Sequence, residues 1–187
     1  MKRLKLSVII ALLCCLFLKI SLYSADRSDE NNSDSGGVWL GLGIGSCHYG
    51  LSFCGTANYC FGKSLFTFRY LKADELQFGS IGGGNVSEPA RSLREYGILY
   101  GSYMKSRISR SSISVGLSYI EAVDRGKLID DYQYKKKELK AISIPIEMNL
   151  QLELDPVGLG FTVFANINKQ RVNVGFLLKF LLGNFGS

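Results

Sequence analysis

Residues 139–154 read LKAISIPIEMNLQLEL, and apolar side chains occupy almost every second position. One face of this stretch would carry Ile142, Ile144, Ile146, Met148, Leu150 and Leu152. The opposite face would carry Ser143, Glu147, Asn149, Gln151 and Glu153. Since successive side chains of a strand point to opposite faces, a period of two predicts one long β-strand. Pro145 lies inside it and predicts a β-bulge, because proline cannot donate a ladder hydrogen bond.

The same period of two recurs along the chain from Val38 onward. The predicted strands span residues 38–46, 51–61, 64–72, 93–104, 111–121, 139–154, 157–167 and 171–182. No helical period of 3.6 residues is found after the first 25 residues. Eight long amphipathic strands in sequence predict an all-β fold, an antiparallel up-and-down barrel whose closure leaves no unpaired edge.

The two faces of the strands indicate which solvent surrounds the barrel. In a soluble barrel the apolar face would point inward, whereas in a membrane barrel it would meet lipid. The face opposite the apolar one is rich in glycine: Gly41, Gly43, Gly45, Gly97, Gly101, Gly116, Gly158, Gly160 and Gly175. On a solvated face these glycines would only weaken the strands, but in a narrow lumen they make room for large side chains. Strands of about ten residues also match a tilted bilayer crossing, so a transmembrane barrel is favoured.

The connections differ in length in a way that gives the barrel two unlike ends. Three links, at Gly62-Lys63, at 105–110 and at Asp155-Pro156, are short, whereas those at 73–92 and 122–137 are long and polar. Outer-membrane barrels place short turns in the periplasm and long loops outside. The link at 168–170 is short and departs from this pattern, and the chain ends without the usual terminal aromatic residue.

The first 25 residues resemble a cleaved secretory signal peptide. Lys2, Arg3 and Lys5 precede an apolar run over 7–18, and residues 21–25 are small and mildly polar. The run is shorter than the roughly 20 residues of a spanning helix. An uncleaved anchor, or a lipoprotein modified at a cysteine, are the alternatives. The polar segment 26–36 is predicted to be a flexible leader, and 37–187 the barrel domain.

Charge gives no indication of nucleic-acid binding. Of the 22 Lys and Arg residues in the chain, four lie in the first 25 residues, where no acidic residue is found. The remainder carries 18 basic against 16 acidic residues, a net charge of only +2. The basic character therefore belongs mainly to the targeting segment.

Three cysteines, Cys47, Cys54 and Cys60, remain after cleavage. They either form one local disulfide with one thiol left over, or are three small buried or semi-buried residues. No Cys/His spacing predicts a metal site, and no cofactor is expected.

The runs WLGLGIG, NYCFGKSLFTFRY, EYGILYG and FANINKQRVNVGFLLKF resemble those of small outer-membrane barrel proteins of Gram-negative bacteria. The resemblance covers most of residues 38–187 and lies in the pattern of alternating strand segments joined by turn residues. It implies an eight-stranded barrel in the outer membrane, with membrane lipid, lipopolysaccharide and the barrel-assembly machinery as partners. It supplies no catalytic residue and no oligomeric state.

Charged residues on the predicted lumen face are expected to form an internal ion-pair network that fills the barrel. They are Arg69, Glu95, Glu147, Arg171 and Lys179, with Glu153 beside them. An ion path through the barrel is the alternative, although eight strands leave little room for water.

Two further sets of residues are functional candidates. The basic cluster Lys135, Lys136, Lys137 and Lys140 is a candidate contact for lipopolysaccharide phosphates, or else a solvated loop base. His48 is the only histidine and lies two residues after Ser46, a pair that would suit a lipid-modifying enzyme. General base catalysis also needs a group that orients the histidine, and no such group is evident.

The predicted function is that of a non-enzymatic outer-membrane barrel with a structural or surface-contact role through its long polar loops. A narrow pore, a lipid-modifying outer-membrane enzyme and a soluble periplasmic barrel that binds an apolar ligand are the alternatives.

Overall fold

The computed structural model describes residues 36–75, 90–106, 108–130 and 133–185. Within these ranges the chain forms eight strands: β1 Gly37–Cys47, β2 Gly50–Phe61, β3 Ser64–Asp74, β4 Ser92–Lys105, β5 Ser109–Asp130, β6 Gln133–Leu154, β7 Val157–Ile167 and β8 Val172–Asn184. Each strand pairs antiparallel with the next, and β8 closes on β1. The predicted all-β, up-and-down barrel is confirmed. The part of the chain that the structure describes contains no helix long and apolar enough to cross a membrane.

The strands are tilted because the pairing register climbs around the barrel. The row that starts at Leu150 of β6 passes through Phe161, Leu178, Ile44, Phe53, Lys72, Arg94 and Glu121. It returns to β6 at Lys140, ten residues from where it began. At about 3.3 Å per residue, the ten-residue offset corresponds to about 33 Å along the strands, and eight strand spacings of about 4.8 Å correspond to about 38 Å around the barrel. The ratio of these two lengths gives a strand tilt of about 40°.

Side chains alternate between the lumen and the outer surface along every strand, as predicted. On β8, for example, Phe176, Leu178 and Phe180 are about half exposed, whereas Leu177 and Leu181 are fully buried. The outward apolar positions of β8 run from Val172 to Leu182. Ten residue steps at a 40° tilt correspond to an apolar band about 25 Å tall, the height typical of membrane barrels.

The region 122–137 was predicted to be a loop, and this prediction is wrong. β5 and β6 are 22 residues each, whereas the other strands have 11 to 14. β4 stops pairing with β5 at Val123, but β5 and β6 continue to pair beyond it as a two-stranded ribbon. We call residues 124–130 and 133–137 the β5–β6 ribbon.

The bulge predicted at Pro145 is also absent. The pairs on either side of it, Val115 with Ile146 and Ser118 with Ser143, share one register, and only the two intervening pairs are missing. Pro145 instead pairs with Asn166 of β7. Pro145 therefore interrupts the hydrogen-bond ladder because it lacks an N–H group, but it inserts no extra residue. The register shifts between β5 and β6 lie in the ribbon, beyond Arg125.

The barrel has two unlike ends. The turns at 62–63 and 155–156, the connection from Lys105 to Ser109 and the two ends of the described chain lie at one end, which we call the turn end. The ribbon, the 48–49 turn, the last residues of β3, the first residues of β4 and the 168–171 turn lie at the other, the loop end. The predicted signal peptide, most of the leader and residues 76–89 lie outside the described residues, so the predicted domain boundaries stay predictions.

Candidate functional site

A network of charged side chains crosses the middle of the lumen. Arg69 of β3 donates from Nη2 to Glu95 Oε1 at 2.5 Å and from Nη1 to Glu147 Oε2 at 2.8 Å. Lys179 Nζ of β8 donates to Glu147 Oε1 at 2.8 Å. Asn166 of β7 donates to Glu95 Oε2 and accepts from Arg69. Two cations thus meet two carboxylates inside the barrel, and hydrogen bonds occupy most of their remaining polar atoms.

Apolar layers lie above and below this network. Toward the loop end, a cluster of buried side chains includes Tyr49, Leu71, Leu93, Ile120, Phe164 and Leu177. Toward the turn end, a second cluster consists of Trp39, Cys60, Leu65, Leu181 and Phe185. The lumen is therefore filled by an apolar, a charged and a second apolar layer in succession.

Arg110 closes the lumen at the turn end, although it was predicted to lie in the short link over residues 105–110. Its guanidinium carbon lies 4.5 Å from the ring centroids of both Trp39 and Tyr103. It forms an ion pair with Glu153 at 2.9 Å and donates to the backbone carbonyl of Phe185. Side chains at even-numbered positions of this part of β5, such as Ser112 and Ser114, point into the lumen. Strand alternation would therefore have predicted the same direction for Arg110.

A second group of charges lies at the loop end, which we call the rim cluster: Glu75, Arg91, Asp124, Arg125 and Arg171, with His48 and Tyr49. Arg91 Nε donates to Asp124 Oδ1 at 3.1 Å, and Arg171 pairs with the other oxygen of Asp124. Arg125 pairs with Glu75 at 3.0 Å. The guanidinium groups of Arg91 and Arg171 lie 5.5 and 5.9 Å from the ring centroid of Tyr49. Three arginines and two carboxylates leave this cluster with a net positive charge.

Arg171 therefore does not belong to the lumen network, contrary to the prediction. It lies in the turn before β8 begins at Val172, where alternation no longer directs a side chain into the barrel. The other four predicted members, Arg69, Glu95, Glu147 and Lys179, form one connected network.

Asp124 is the carboxylate that holds the rim cluster together. Burial would raise its pKa, but the hydrogen bond from the backbone N–H of Arg125 and the charges of Arg171 and Arg91 hold that pKa below its usual value. The carboxylate is therefore ionised at neutral pH and binds two arginines at once.

His48 contacts Arg91 and not the neighbouring Ser46. Arg91 Nη2 lies 2.7 Å from His48 Nε2, and because arginine can only donate, that imidazole nitrogen must accept. Partial burial lowers the pKa of His48, and the charges of Arg91 and Arg171 lower it further, against a smaller opposing effect of Asp124. Ser46 occupies an exposed, outward position of β1, so the structure does not bring the predicted enzyme pair together.

The predicted basic cluster lies on the ribbon and on β6 next to it. Lys136 pairs with Glu138 at 2.8 Å, and Lys140 pairs with Glu121 at 3.3 Å. All four lysines, Lys135, Lys136, Lys137 and Lys140, are exposed. The structure therefore presents them to solvent at the loop end.

The three cysteines are free thiols, and Cys54 and Cys60 are buried. Cys60 Sγ accepts a hydrogen bond from the backbone N–H of Gly37 at 3.0 Å. Of the two alternatives, the structure agrees with small buried or semi-buried side chains, since Cys47 is only partly buried. Across the described ranges, no group of three or more His, Cys, Asp or Glu residues could hold a metal ion.

Comparison with known proteins identifies the fold through structure rather than sequence. No protein-family model matches the chain, and no curated protein sequence matches it. The N-terminal β-barrel domain of OprF from Pseudomonas aeruginosa superposes with a TM-score of 0.58 at 8% identity, over 81% of this chain and 99% of that one. Ail, the attachment invasion locus protein of Yersinia pestis, gives a TM-score of 0.53 at 11% identity, over 82% and 99%. Neisserial surface protein A gives 0.50 at 12% identity, over 79% and 94%.

At such low identity these likenesses show the fold alone. The three neighbours are eight-stranded outer-membrane barrels of Gram-negative bacteria. The chain therefore has the fold of the small Gram-negative outer-membrane β-barrels.

Proposed function

We propose that the protein resides in a bacterial outer membrane as a closed, non-conducting barrel and makes contacts at the cell surface through its loop end. The outward side chains support the membrane location. Val38, Leu40, Leu42 and Ile44 of β1 are all about half exposed or more, and large apolar side chains are exposed on the outward face of every other strand as well. A soluble protein rarely exposes a continuous apolar surface of this extent, whereas hydrocarbon is a favourable solvent for it.

The observation that carries the contact role is the β5–β6 ribbon. It extends past the wall of the barrel and presents Lys135, Lys136 and Lys137 to solvent. Residues 124–140 contain six basic and four acidic side chains. Together with the positive rim cluster, this surface suits a partner with phosphate or sulfate groups on a saccharide. Ail, which has the same fold, has been crystallised with the heparin analogue sucrose octasulfate.

A ribbon deletion tests the contact role. Arg125 and Lys136 are register partners, so residues 126–135 can be replaced by Asn-Gly, which favours a tight hairpin turn. We expect the shortened protein to fold and to bind lipopolysaccharide micelles and a sulfated oligosaccharide more weakly than the full chain, by tenfold or more. A variant that keeps the ribbon but replaces Lys135, Lys136 and Lys137 with Gln shows whether this binding depends on the charge of the ribbon or on its shape. Unchanged binding of both probes by the deletion variant would refute the contact role.

A pore is the second candidate function, but the side chains that fill the lumen would block the passage of ions. Ions would have to pass the fully buried Leu71, Leu93 and Leu177 and then the occupied Arg69 network. We expect planar bilayers containing the protein to stay silent across applied voltages, and steady single-channel steps would contradict this.

A further inference from the structure

The outer wall of the barrel carries a groove of about 890 Å³. Its floor includes Gly55 and Ala57, two small residues at outward positions of β2. Leu40 and Leu42 of β1 line one side, and Phe68 and Tyr70 of β3 line the other. A methyl group placed on Gly55 would have no atom within 4 Å. The volume lies in the range of small-molecule sites, about 300–1,000 Å³.

The groove lies within the apolar band and is bounded by tyrosines toward the loop end. Tyr70 and Tyr96 are cross-strand partners with ring centroids 5.2 Å apart, and Tyr119 continues the same row on β5. Amphipathic aromatic side chains occupy the level of the lipid headgroups in membrane barrels. This row therefore marks the upper boundary of the hydrocarbon on this side of the barrel.

Two cations lie one outward position above the tyrosines. Lys72 and Arg94 are direct partners across β3 and β4. Directly opposed like charges destabilise a sheet, because their side chains start only about 5 Å apart. A phosphate between the two groups would turn this repulsion into two charge-assisted hydrogen bonds.

The acidic neighbours do not neutralise this pair of cations. Asp74 pairs with Lys72 at 2.8 Å, but both side chains are more than 40% exposed, and such a pair contributes little. Glu121 lies beside Arg94 across β4 and β5, but its carboxylate is paired with Lys140. Among the described residues Arg94 forms no ion pair.

We propose that this groove binds one phosphorylated glycolipid of the outer leaflet, with an acyl chain over Gly55 and Ala57 and a phosphate between Lys72 and Arg94. The inference rests on the proposed outer-membrane location, because the loop end must face the outer leaflet. The apolar groove matches the acyl chain of such a lipid, and the two opposed cations above it match the phosphate. The site lies on the barrel wall and is separate from the ribbon lysines.

Retention of diphosphorylated lipid A by the detergent-purified protein, measured by native mass spectrometry, tests the site. We expect the double variant Lys72→Gln/Arg94→Gln to retain at least tenfold less lipid than the wild type. Gly55→Leu should lower retention comparably without changing any charge, because it fills the floor of the groove. Lys63→Gln/Lys169→Gln is the matched charge control, because it removes two exposed lysines that lie outside both the groove and the ribbon, and it should retain lipid normally.

Three outcomes would overturn the inference. Retention that survives both wall variants would do so, and so would an equal loss in the Lys63/Lys169 control. Equal retention of phosphatidylglycerol, or of dephosphorylated lipid A, would replace the phosphorylated glycolipid with an anionic or a merely apolar ligand. Membrane fractionation of the wild type separates these failures from failure of the proposed location, because a protein found in the aqueous fraction would refute the location itself.

Discussion

Arg69 pairs with two carboxylates inside the lumen. It is fully buried and bridges Glu95 and Glu147, which come from strands on different sides of the barrel. Ion pairs of this kind are costly to break, because removal of one partner leaves an uncompensated buried charge.

We expect Arg69→Met to destabilise the barrel by about 3–5 kcal/mol, measured by urea unfolding in lipid vesicles with a gel-shift readout. The matched control is Arg94→Met, an exposed outward arginine whose loss should change stability by less than about 0.5 kcal/mol. Adding Glu95→Gln to Arg69→Met should recover part of the loss, since it removes the orphaned charge. Equal stability of the two arginine variants would refute the role given to the network.

His48 makes the rim cluster sensitive to pH. Its pKa is lowered in the folded protein, first by burial and then by Arg91 and Arg171. The unfolded chain therefore takes up this proton at a higher pH than the folded one does. The contribution to stability is present above the usual pKa of histidine and is lost as the pH falls through the lowered value.

We expect the thermal midpoint to fall between about pH 7.5 and about pH 5.5, and to fall less in His48→Gln. Glutamine can still accept the hydrogen bond from Arg91 but cannot become cationic. Asp124 does not titrate in this window, because its pKa lies below its usual acidic value. Identical pH profiles for the wild type and His48→Gln would exclude this histidine as the source.

The prediction of site residues succeeded inside the barrel wall and failed at its ends, for a physical reason. Alternation fixes the direction of Arg69, Glu95, Glu147 and Lys179, since each lies within a paired strand. Arg171 lies in a turn, where the backbone is not constrained to a period of two. The rim cluster could not be predicted, because its contacts join the 48–49 turn to residues on three other connections or strand ends.

At the level of strands, β4 and β5 approach each other closely at Gly116. A methyl group on Gly116 would lie 1.9 Å from the carbonyl oxygen of Ile98 and 2.7 Å from Leu99 Cα. These are backbone atoms of the neighbouring strand, so they cannot move aside as a flexible side chain would.

We expect Gly116→Ala to destabilise the barrel by about 1–3 kcal/mol, because β4 and β5 must separate. Gly55→Ala is the matched control, since its new methyl group would enter open space and should be neutral or slightly stabilising. Urea unfolding in vesicles measures both. A neutral Gly116→Ala would show that β4 and β5 do not approach each other this closely.

The ribbon shows why strand ends are hard to read from sequence. The hydrophobic period appears only where apolar residues recur at every second position. In the segment from Asp124 to Lys137 the only aliphatic residues, Leu128 and Ile129, are adjacent, and most of the others are polar or charged, so no such period is present. Within the barrel wall, by contrast, the predicted strand limits lie within a few residues of the observed ones, because the outward face of every strand is apolar.

At the scale of the whole molecule, the fold is an eight-stranded barrel with a ten-residue register offset around it. This geometry leaves a lumen that side chains fill, and it turns the apolar faces of all eight strands outward. Strand number and outward orientation were predicted from the sequence. The offset was not, because it depends on which residues pair across strands, and alternation alone does not fix that register.

The central claim is that the outward face of the barrel lies in hydrocarbon. Spin labels on single cysteines at Val172, Leu178 and Leu182, in a background with Cys47, Cys54 and Cys60 changed to Ser, test it directly in vesicles. Collisions with oxygen relative to a water-soluble nickel chelate should peak at Leu178, in the middle of the apolar band, and decline toward Val172 and Leu182. A label at Lys136 on the ribbon should collide mainly with nickel. If the label at Leu178 were as accessible to nickel as the label at Lys136, the outer surface would face water and the membrane barrel described here would be wrong.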